Sequence, residues 1–309
     1  MRYTLISGRP LAQETRRLLE QETHAATTGL THAPSAHNDH RVHDTRKRIK
    51  KARALLRMAR RPLGKRYFEA DDELRTANRA LGPLVDAHRV LETLAAAQRE
   101  GIAQLSVAAN SAVRLQLESH ASALEGEATG DLRARTVRLL KSLRHQVATI
   151  DLTGLDRAAI VAEIRDAHAA ARKARRRAIK RPSVATFHSW RRRVKREWHL
   201  IRLVSELTGD RLRNERHQLA ALDACLGELH DVDVLMSALA ATSPLSRMEM
   251  SALIRPLRVH AHDLRHLARR ISSVLDQRPE QLARRIRVLW GSVPRRRLAA
   301  TVRAWQRSA

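Results

Sequence analysis

Apolar residues recur along most of the chain at the three- and four-residue intervals that are typical of amphipathic α-helices. Glycine, proline and short polar stretches separate these periodic segments. The segments predicted to be helical are 10–28, 39–60, 66–80, 83–99, 101–124, 131–148, 156–180, 184–206, 210–225, 228–240, 246–274 and 279–306. The sequence GSVP is a candidate break in the last of them. Strand-like alternation is confined to the opening stretch RYTLIS, so the pattern predicts an all-α fold.

Two of these segments, 39–60 and 184–206, carry an apolar seam at coiled-coil-like spacing. The first seam is formed by Val42, Thr45, Ile49, Ala52, Leu56 and Ala59. The second is formed by Phe187, Trp190, Val194 and Ile201, with Trp198 at its margin. We expect both seams to pack in the core, and the aromatic residues to fill it rather than to stack on a ligand.

An internal repeat appears when the chain is aligned with itself. The stretch VHDTRKRIKKARALLR, which begins at residue 42, matches FHSWRRRVKREWHLIR, which begins at residue 187, an offset of 145 residues. The same offset continues without a gap and places Gly64 on Gly209 and Asp86 on Asp231. It also places the expected helix N-cap Asn38 on Ser183. The repeat predicts two helical bundles related by a pseudo-two-fold axis, over residues 1–150 and 151–309.

The composition supports a folded helical protein with a polyanionic partner. Apolar residues make up 43% of the 309 residues, enough for a sizeable core, and the formal net charge is +27. Such a charge favours nucleic acid, anionic lipid or polyphosphate as a partner. The single cysteine, Cys225, cannot form a disulfide within the chain and is expected to be a small buried residue. Without a recognisable signal peptide or transmembrane stretch, the protein is expected to be soluble and cytoplasmic.

Beside each seam lies a second, basic stripe that keeps to one helix face. The first stripe contains His43, Arg46, Lys50 and Arg57, with Lys47, Lys51 and Arg53 beside it. The second stripe contains His188, Arg191, Lys195, His199 and Arg202, with Arg192 and Arg196 beside it. Neither stripe contains a glutamate, although solvated helix faces usually interleave acids with bases. A bound anion would explain this repeated like charge, and an ordinary solvated face is the alternative.

The two stripe sequences, with the bend-and-acid motifs LGPLVDAHRVLETL and LGELHDVDVLMSAL that follow them, resemble the CHAD domain, the conserved histidine α-helical domain. The segment ARKARRRAIKRPS is similar to the Arg-rich linker helix of that family. The resemblance covers nearly the whole chain. It implies an all-α fold of two antiparallel four-helix bundles about a pseudo-two-fold axis. It also implies non-enzymatic binding of inorganic polyphosphate in a basic groove and association with polyphosphate granules.

The resemblance implies a set of polyphosphate-binding residues by position. They are His43, Arg46, Lys47, Lys50, Lys51, Arg53, Arg57, Arg172, Lys173, His188, Arg191, Arg192, Lys195, Arg196 and Arg202. One departure is Trp198, an aromatic residue where the first copy has Arg53, so the two halves need not contribute equally. Some relatives carry a triphosphate tunnel domain, but the acidic strand motif of that domain is not found here.

Some residues are compatible with other chemistry. Asp86 and Asp231 could form a catalytic carboxylate pair, but we expect each to cap a helix or to hold a basic residue of the stripe. The histidines His37, His40 and His43, and the later group His260, His262 and His266, are candidate metal ligands. Cations around His43 disfavour a metal there, so no metal or other cofactor is expected. Nucleic-acid binding stays the main alternative, although base-stacking aromatics are scarce.

Overall fold

The fold is known from a computed structural model that describes residues 3–31, 38–242 and 244–291, without the side chains of 38–40, 84, 124–129 and 242. The helices are α1 (Leu11–Thr31), α2 (Asn38–Met58), α3 (Arg60–Leu63), α4 (Lys65–Ala80), α5 (Gly82–Arg99), α6 (Val107–Thr149), α7 (Arg157–Lys180), α8 (Val184–Leu203), α9 (Arg213–Thr242), α10 (Arg247–Arg270) and α11 (Pro279–Gly291). Short 3₁₀ turns follow α8 and α10. These described ranges contain helices and no strand, which confirms the all-α prediction.

The predicted helices 101–124 and 131–148 are wrong as separate elements, because α6 runs through Gly130 without interruption. Leu117 and Ala121 are buried before this glycine, and Thr136 and Leu140 are buried after it, so one face of α6 stays in the core. A glycine in a helix interior costs only about 1 kcal/mol relative to alanine. Burial of the apolar side chains on both sides exceeds that cost.

The predicted break between 210–225 and 228–240 is also wrong, because α9 is continuous through Gly227. The equivalent chain of the first half does break, between α4 and α5, next to Gly82. Pro83 follows Gly82 and lacks the N–H group that would continue the helical hydrogen bonds. Glu228 follows Gly227 and keeps that group. This proline is a difference between the two copies that acts directly on the backbone hydrogen bonds at the place where the first copy breaks and the second continues.

Both apolar seams lie in the core, as predicted. Every residue of the α2 seam and all four core residues predicted on α8 are buried, while Trp198 is partly buried against them. Buried apolar residues from both halves belong to one contiguous cluster. Cys225 is buried as well, and burial raises the pKa of its thiol to about 11.

The local signals of the repeat are visible in the backbone. Gly64 and Gly209, which the repeat aligns, both have positive φ angles, of 54° and 62°. Ser183 caps α8, since its Oγ accepts a hydrogen bond from the Thr186 backbone N–H at 3.2 Å. The side chain of Asn38, the equivalent cap of α2, and the region 292–306 of the last predicted helix lie outside the described residues.

Contacts between the halves place α2 at the centre of the molecule. Helix α2 packs against α1 and α4 of its own half and against α7 and α8 of the second half, and α5 packs against α9. The arrangement of the halves as two antiparallel four-helix bundles about a pseudo-two-fold axis, and the boundary at residue 150, stay predictions. No helix in the described part of the chain is long and apolar enough to cross a membrane.

Candidate anion-binding site

The contact between α2 and α8 brings cations of the two stripes together around Lys50. The pKa of Lys50 is lowered to about 7, first by burial and then by the positive charges of Arg46, Lys195 and Arg191, against an opposing effect of Asp223. Arg46 and Lys50 lie on α2, whereas Arg191 and Lys195 lie on α8. We call these four residues the four-cation cluster. It contains the repeat-equivalent positions of both stripes, so the two stripes do meet here.

The two arginines of this cluster lie over repeat-equivalent glycines. Arg46 donates a hydrogen bond from Nη1 to the Gly82 carbonyl oxygen at 3.3 Å. A Cβ atom on Gly227 would lie 3.5 Å from an Nη atom of Arg191. Each glycine follows the leucine of an LG pair in the bend-and-acid motif, so the absence of a side chain there leaves space for a guanidinium group above the helix.

Histidines extend the cluster towards α9. The Nδ1 atoms of His188 and His230 lie 3.3 Å apart, and the pKa of His230 is lowered to about 4 by burial and by the charges of Arg191 and His188. Burial and the charges of Arg192 and Arg191 lower the pKa of His188. Burial, followed by the charges of Lys47, Arg89 and Lys50, lowers the pKa of His43. These rings are therefore mostly neutral at pH 7, and each carries one N–H. In the contact between His188 and His230 one ring donates its N–H to the other, so only one ring of that pair keeps an N–H for an anion.

The two repeat-equivalent aspartates have different partners. Asp86 accepts a hydrogen bond from Arg46 at 3.2 Å, which is the holding role expected for it. Asp231 instead pairs with Arg89 of α5, at 3.4 Å, and burial raises the pKa of its carboxyl group. Asp223 of α9 pairs with Lys195 at 3.1 Å. Each of these acids therefore compensates a specific cation.

Several stripe residues lie away from this cluster and contact acids or aromatic rings of other helices. Lys51 pairs with Glu22 at 3.6 Å, and Arg53 pairs with Asp71 through two hydrogen bonds of 2.8 and 3.0 Å. Arg57 and Arg196, from different halves, both donate to the buried Glu163. The guanidinium of Arg202 lies 5.6 Å from the ring centroids of Tyr3 and Trp198. These contacts join helices to one another, so the stripe charges are partly compensated in the fold.

The remaining predicted residues lie near the surface. Lys47 forms an exposed pair with Asp44 at 3.3 Å, and Arg192 is exposed beside His188. Arg172 lies on α7 near His168, and the neighbouring Lys173 is exposed. Among the described residues, no hydrogen bond or ion pair joins Arg172 or Lys173 to the four-cation cluster.

A cleft of about 690 Å³ lies between α5 and α9 and continues from the cluster. Its basic lining is formed by Arg89, Arg99 and Arg191. Its acidic lining is formed by Glu92, Asp223, Glu228 and Asp231. Sequence reasoning missed His230, Arg89 and Asp223, because none of them has a like residue at the equivalent position of the other copy. Asp223 aligns with Asn78, and this difference in charge between the copies is the sequence signal that could have indicated Asp223 as a residue of the site.

A separate group of possible metal ligands includes Glu228 of this cleft. Glu100, Glu228 and His260 have ligand atoms within 4.8 Å of one another, and His260 Nε2 lies 2.8 Å from Glu228. The sequence grouped His260 with His262 and His266, whose rings are in contact at 4.4 Å between centroids. Both glutamates are exposed, and His260 already has Glu228 as a hydrogen-bonding partner.

The described residues define a helical protein with an internal repeat, in which two basic helices meet at the half-buried Lys50. Residues 11–240 match the family model of the CHAD domain. The match covers most of the chain, and the protein belongs to the CHAD domain family, which confirms the resemblance found in the sequence. A search of curated proteins finds no match to the chain.

Proposed function

We propose that this CHAD-family protein binds inorganic polyphosphate, without chemically transforming it, in a basic groove that includes the four-cation cluster. The observation that carries the proposal is the packing of α2 against α8, which places Arg46 and Lys50 of one helix close to Arg191 and Lys195 of the other. Burial and the repulsion between these cations both lower the pKa of Lys50. A bound phosphate group would relieve this repulsion and would accept hydrogen bonds from lysine and arginine. In this proposal the halves are two antiparallel four-helix bundles about a pseudo-two-fold axis, and each supplies one wall of the groove.

The placement of the charges favours a linear polyanion over a compact one. Cations lie at successive turns of α2, at Arg46 and Lys50, and of α8, at Arg191 and Lys195. The adjoining cleft between α5 and α9 carries four acids beside its three arginines, so the path follows the two helices. A polymer with a charge on every unit can follow such a path. We further propose that binding of the polymer places the protein at polyphosphate granules in the cytoplasm.

Nucleic acid is the second candidate, because phosphate contacts alone do not separate the two polymers. Single-stranded nucleic acid usually gains affinity from bases stacked on exposed aromatic rings. Near the four-cation cluster, Phe187 and Trp190 are buried, and Arg202 covers Trp198. The described aromatic residues of α8 are therefore engaged in packing, which favours polyphosphate.

A competition titration tests the proposal. Labelled long-chain polyphosphate is displaced by unlabelled polyphosphate, duplex DNA, heparin or nucleoside triphosphate at equal phosphate concentration. We expect polyphosphate to compete best, binding to weaken steeply with salt as counterions are released, and polyphosphate to raise the melting temperature. Equal or tighter binding of DNA would support the nucleic-acid candidate, and release of phosphate in the presence of Mg²⁺ would contradict a non-enzymatic role.

A matched pair of variants separates the site from total charge. One variant changes Arg46, Lys50, Arg191 and Lys195 to Gln, and the other changes four exposed cations of α6 to Gln. The exposed cations are Arg114, Arg135, Arg138 and Lys141. Both variants lose the same formal charge. Loss of polyphosphate binding only in the first variant, with its helical content preserved, is the expected result; equal losses would show that the site lies elsewhere.

A further inference from the structure

The four-cation cluster consists of two repeat-equivalent pairs of residues. Arg46 aligns with Arg191, and Lys50 aligns with Lys195. If the halves were alike, each arginine would pair with the aspartate of its own bend-and-acid motif, and the two lysines would have like neighbours. The observed ion pairs do not follow this symmetry, and the difference decides which cations have no carboxylate partner.

In the first half the arginine has an acid partner and the lysine has none. Arg46 Nη1 lies 3.2 Å from Asp86 Oδ1 and 3.3 Å from the Gly82 carbonyl oxygen. The residue that aligns with the acid partner of Lys195 is Asn78, which has no charge. Among the described residues, no carboxylate lies within ion-pair distance of Lys50.

In the second half the pairing is reversed. Lys195 Nζ lies 3.1 Å from Asp223 Oδ2. Asp231, which aligns with Asp86, is 3.4 Å from Arg89 of the other half. The described residues offer Arg191 no carboxylate within ion-pair distance, and this guanidinium lines the cleft above Gly227.

We propose that Lys50 and Arg191, one from each half, are the pair that binds a phosphate group, whereas Arg46 and Lys195 are held by Asp86 and Asp223. This inference rests on the proposed function and names the contacts at that site. An incoming phosphate contacts Lys50 and Arg191 without separating an ion pair. At Arg46 or Lys195 the phosphate competes with an aspartate that already compensates the charge and accepts one of the hydrogen bonds of the cation.

Phosphate binding at this pair is coupled to uptake of a proton by Lys50. The titratable and charged groups that interact with Lys50 lie on three helices. They are Arg46 and His43 on its own helix, Arg191, Lys195, His188 and His199 on α8, and Asp223 and His230 on α9. The free amine has a pKa of about 7, and a bound phosphate raises it. Affinity therefore falls as the pH rises above about 7, up to the pKa of the bound form. Lys50→Met removes this part of the pH dependence.

Variants at the repeat-equivalent residues, called repeat-mate variants below, test the inference directly. We expect Lys50→Met and Arg191→Gln each to weaken binding of long-chain polyphosphate by about tenfold or more, the loss of one charge-assisted contact. The charge-neutral double variants Lys195→Met/Asp223→Asn and Arg46→Gln/Asp86→Asn are expected to weaken binding less than either single variant does, because each removes a cation together with the aspartate that already compensates it. Circular dichroism and thermal melting confirm that each variant is folded. Equal losses in the single and double variants would overturn the inference.

A charge-conserving exchange keeps the test independent of total charge. Asn78→Asp combined with Asp223→Asn moves the acid from the second half to the first. In this background the binding should depend on Lys195 rather than on Lys50, as judged by adding Lys50→Met or Lys195→Met. An unchanged dependence on Lys50 would contradict the inference.

Amine labelling gives a readout that needs no phosphate ligand. A lysine amine reacts with acetic anhydride only when it is deprotonated, so mass spectrometry at pH 7–8 should find Lys50 more reactive than Lys195 in the wild type and less reactive in the exchange variant. Equal reactivity in the wild type would overturn the inference. If the wild type reacts as expected but does not retain polyphosphate, the proposed function itself fails. If polyphosphate binds and the repeat-mate variants lose affinity equally, only the inference fails.

Discussion

The buried imidazole of His168 lies 2.6 Å from a carboxylate oxygen of Glu197, and its other nitrogen lies 2.9 Å from the Gln277 carbonyl oxygen. Both nitrogens face acceptors, so the protonated ring fits this place between α7, α8 and the segment before α11. Burial lowers the pKa of His168, but the hydrogen bond and charge of Glu197 and the Gln277 carbonyl outweigh it, and the net shift is upward. The ring therefore stabilises the fold most when it is charged.

The first prediction is a pH-dependent stability that depends on His168. Because its pKa is higher in the folded than in the unfolded chain, its contribution is complete below about pH 6.5 and is lost as the pH rises through the folded pKa. The melting temperature of the wild type should exceed that of His168→Gln most at acidic pH, and the gap should narrow at higher pH. His217→Gln, at an exposed position of α9, is the control. A gap that does not vary with pH would contradict this assignment.

The second prediction concerns the shared carboxylate between the halves. Glu163 has 3% of its side chain exposed and accepts hydrogen bonds from Arg57 and Arg196. Removing one partner of a buried ion pair costs about 3–5 kcal/mol, because the remaining charges stay buried. Glu163→Gln should lower the free energy of unfolding, measured with urea, by roughly that amount.

The control for this change is Asp166→Asn on the same helix. Its carboxylate is 43% exposed and pairs with Arg165 at 2.8 Å and with Arg61 at 3.7 Å. An exposed pair contributes only about 0–1 kcal/mol. If both variants had the same small effect, Glu163 would not join the halves in the manner described.

The third prediction contrasts two helical glycines. A Cβ atom on Gly29 would lie 2.7 Å from Thr45 Oγ1 in the contact between α1 and α2. Apart from the chain neighbours and the backbone of α6, no described atom lies within 4 Å of a Cβ on Gly130. Gly29→Ala should destabilise the protein by about 1–3 kcal/mol through overpacking. Gly130→Ala should stabilise it by up to about 1 kcal/mol through helix propensity. Denaturant unfolding measures both.

A double variant shows whether the clash is the cause. Thr45→Ala removes the hydroxyl that the new Cβ would meet, so Gly29→Ala should cost less in that background than in the wild type. Equal costs in the two backgrounds would assign the loss to something other than this contact.

The fourth prediction is stronger polyphosphate binding at acidic pH. His188 and His230 are in contact, and both have lowered pKa values, that of His230 being about 4. Protonation adds positive charge beside Arg191, and a bound polyanion raises these pKa values, so affinity should rise as the pH falls below 6.5. His230→Asn should flatten this rise, while His217→Asn should leave it unchanged. Titrations between pH 4.5 and about 7 measure the effect.

Much of the fold could be predicted from the sequence because its signals are local or repeated. The apolar seams, the Ser183 cap and the matching of Gly64 with Gly209 each depend on a short stretch and its copy. The helix break next to Pro83 was predicted from the sequence as well, but the continuous helix through Gly227 was not. A glycine at this position is compatible with a turn or with close packing of a neighbouring side chain. The Arg191 guanidinium packed against Gly227 shows that the second applies, and this contact is not visible in the sequence.

The candidate site was less predictable because ion pairing depends on residues far apart in the chain. The absence of glutamate from the stripes indicated uncompensated charge, yet Glu22, Asp71 and Glu163 approach from other helices. Conversely, the contacts of Lys50 with cations of α8 require the packing of two halves whose orientation the repeat alone does not specify. The family match makes the polyphosphate hypothesis a natural one, and the tests above address it at individual residues.

The ion pair between Arg89 and Asp231 shows that the two copies of a repeated unit can take different roles. In a symmetric dimer of identical subunits, an ion pair that crosses the interface occurs twice, and both subunits keep the same set of unpaired cations. Joining the copies in one polypeptide allows each to mutate separately, so that one position can be neutralised while its counterpart stays available. Two repeats within one chain can therefore form an asymmetric binding surface, which a symmetric dimer of identical subunits does not have.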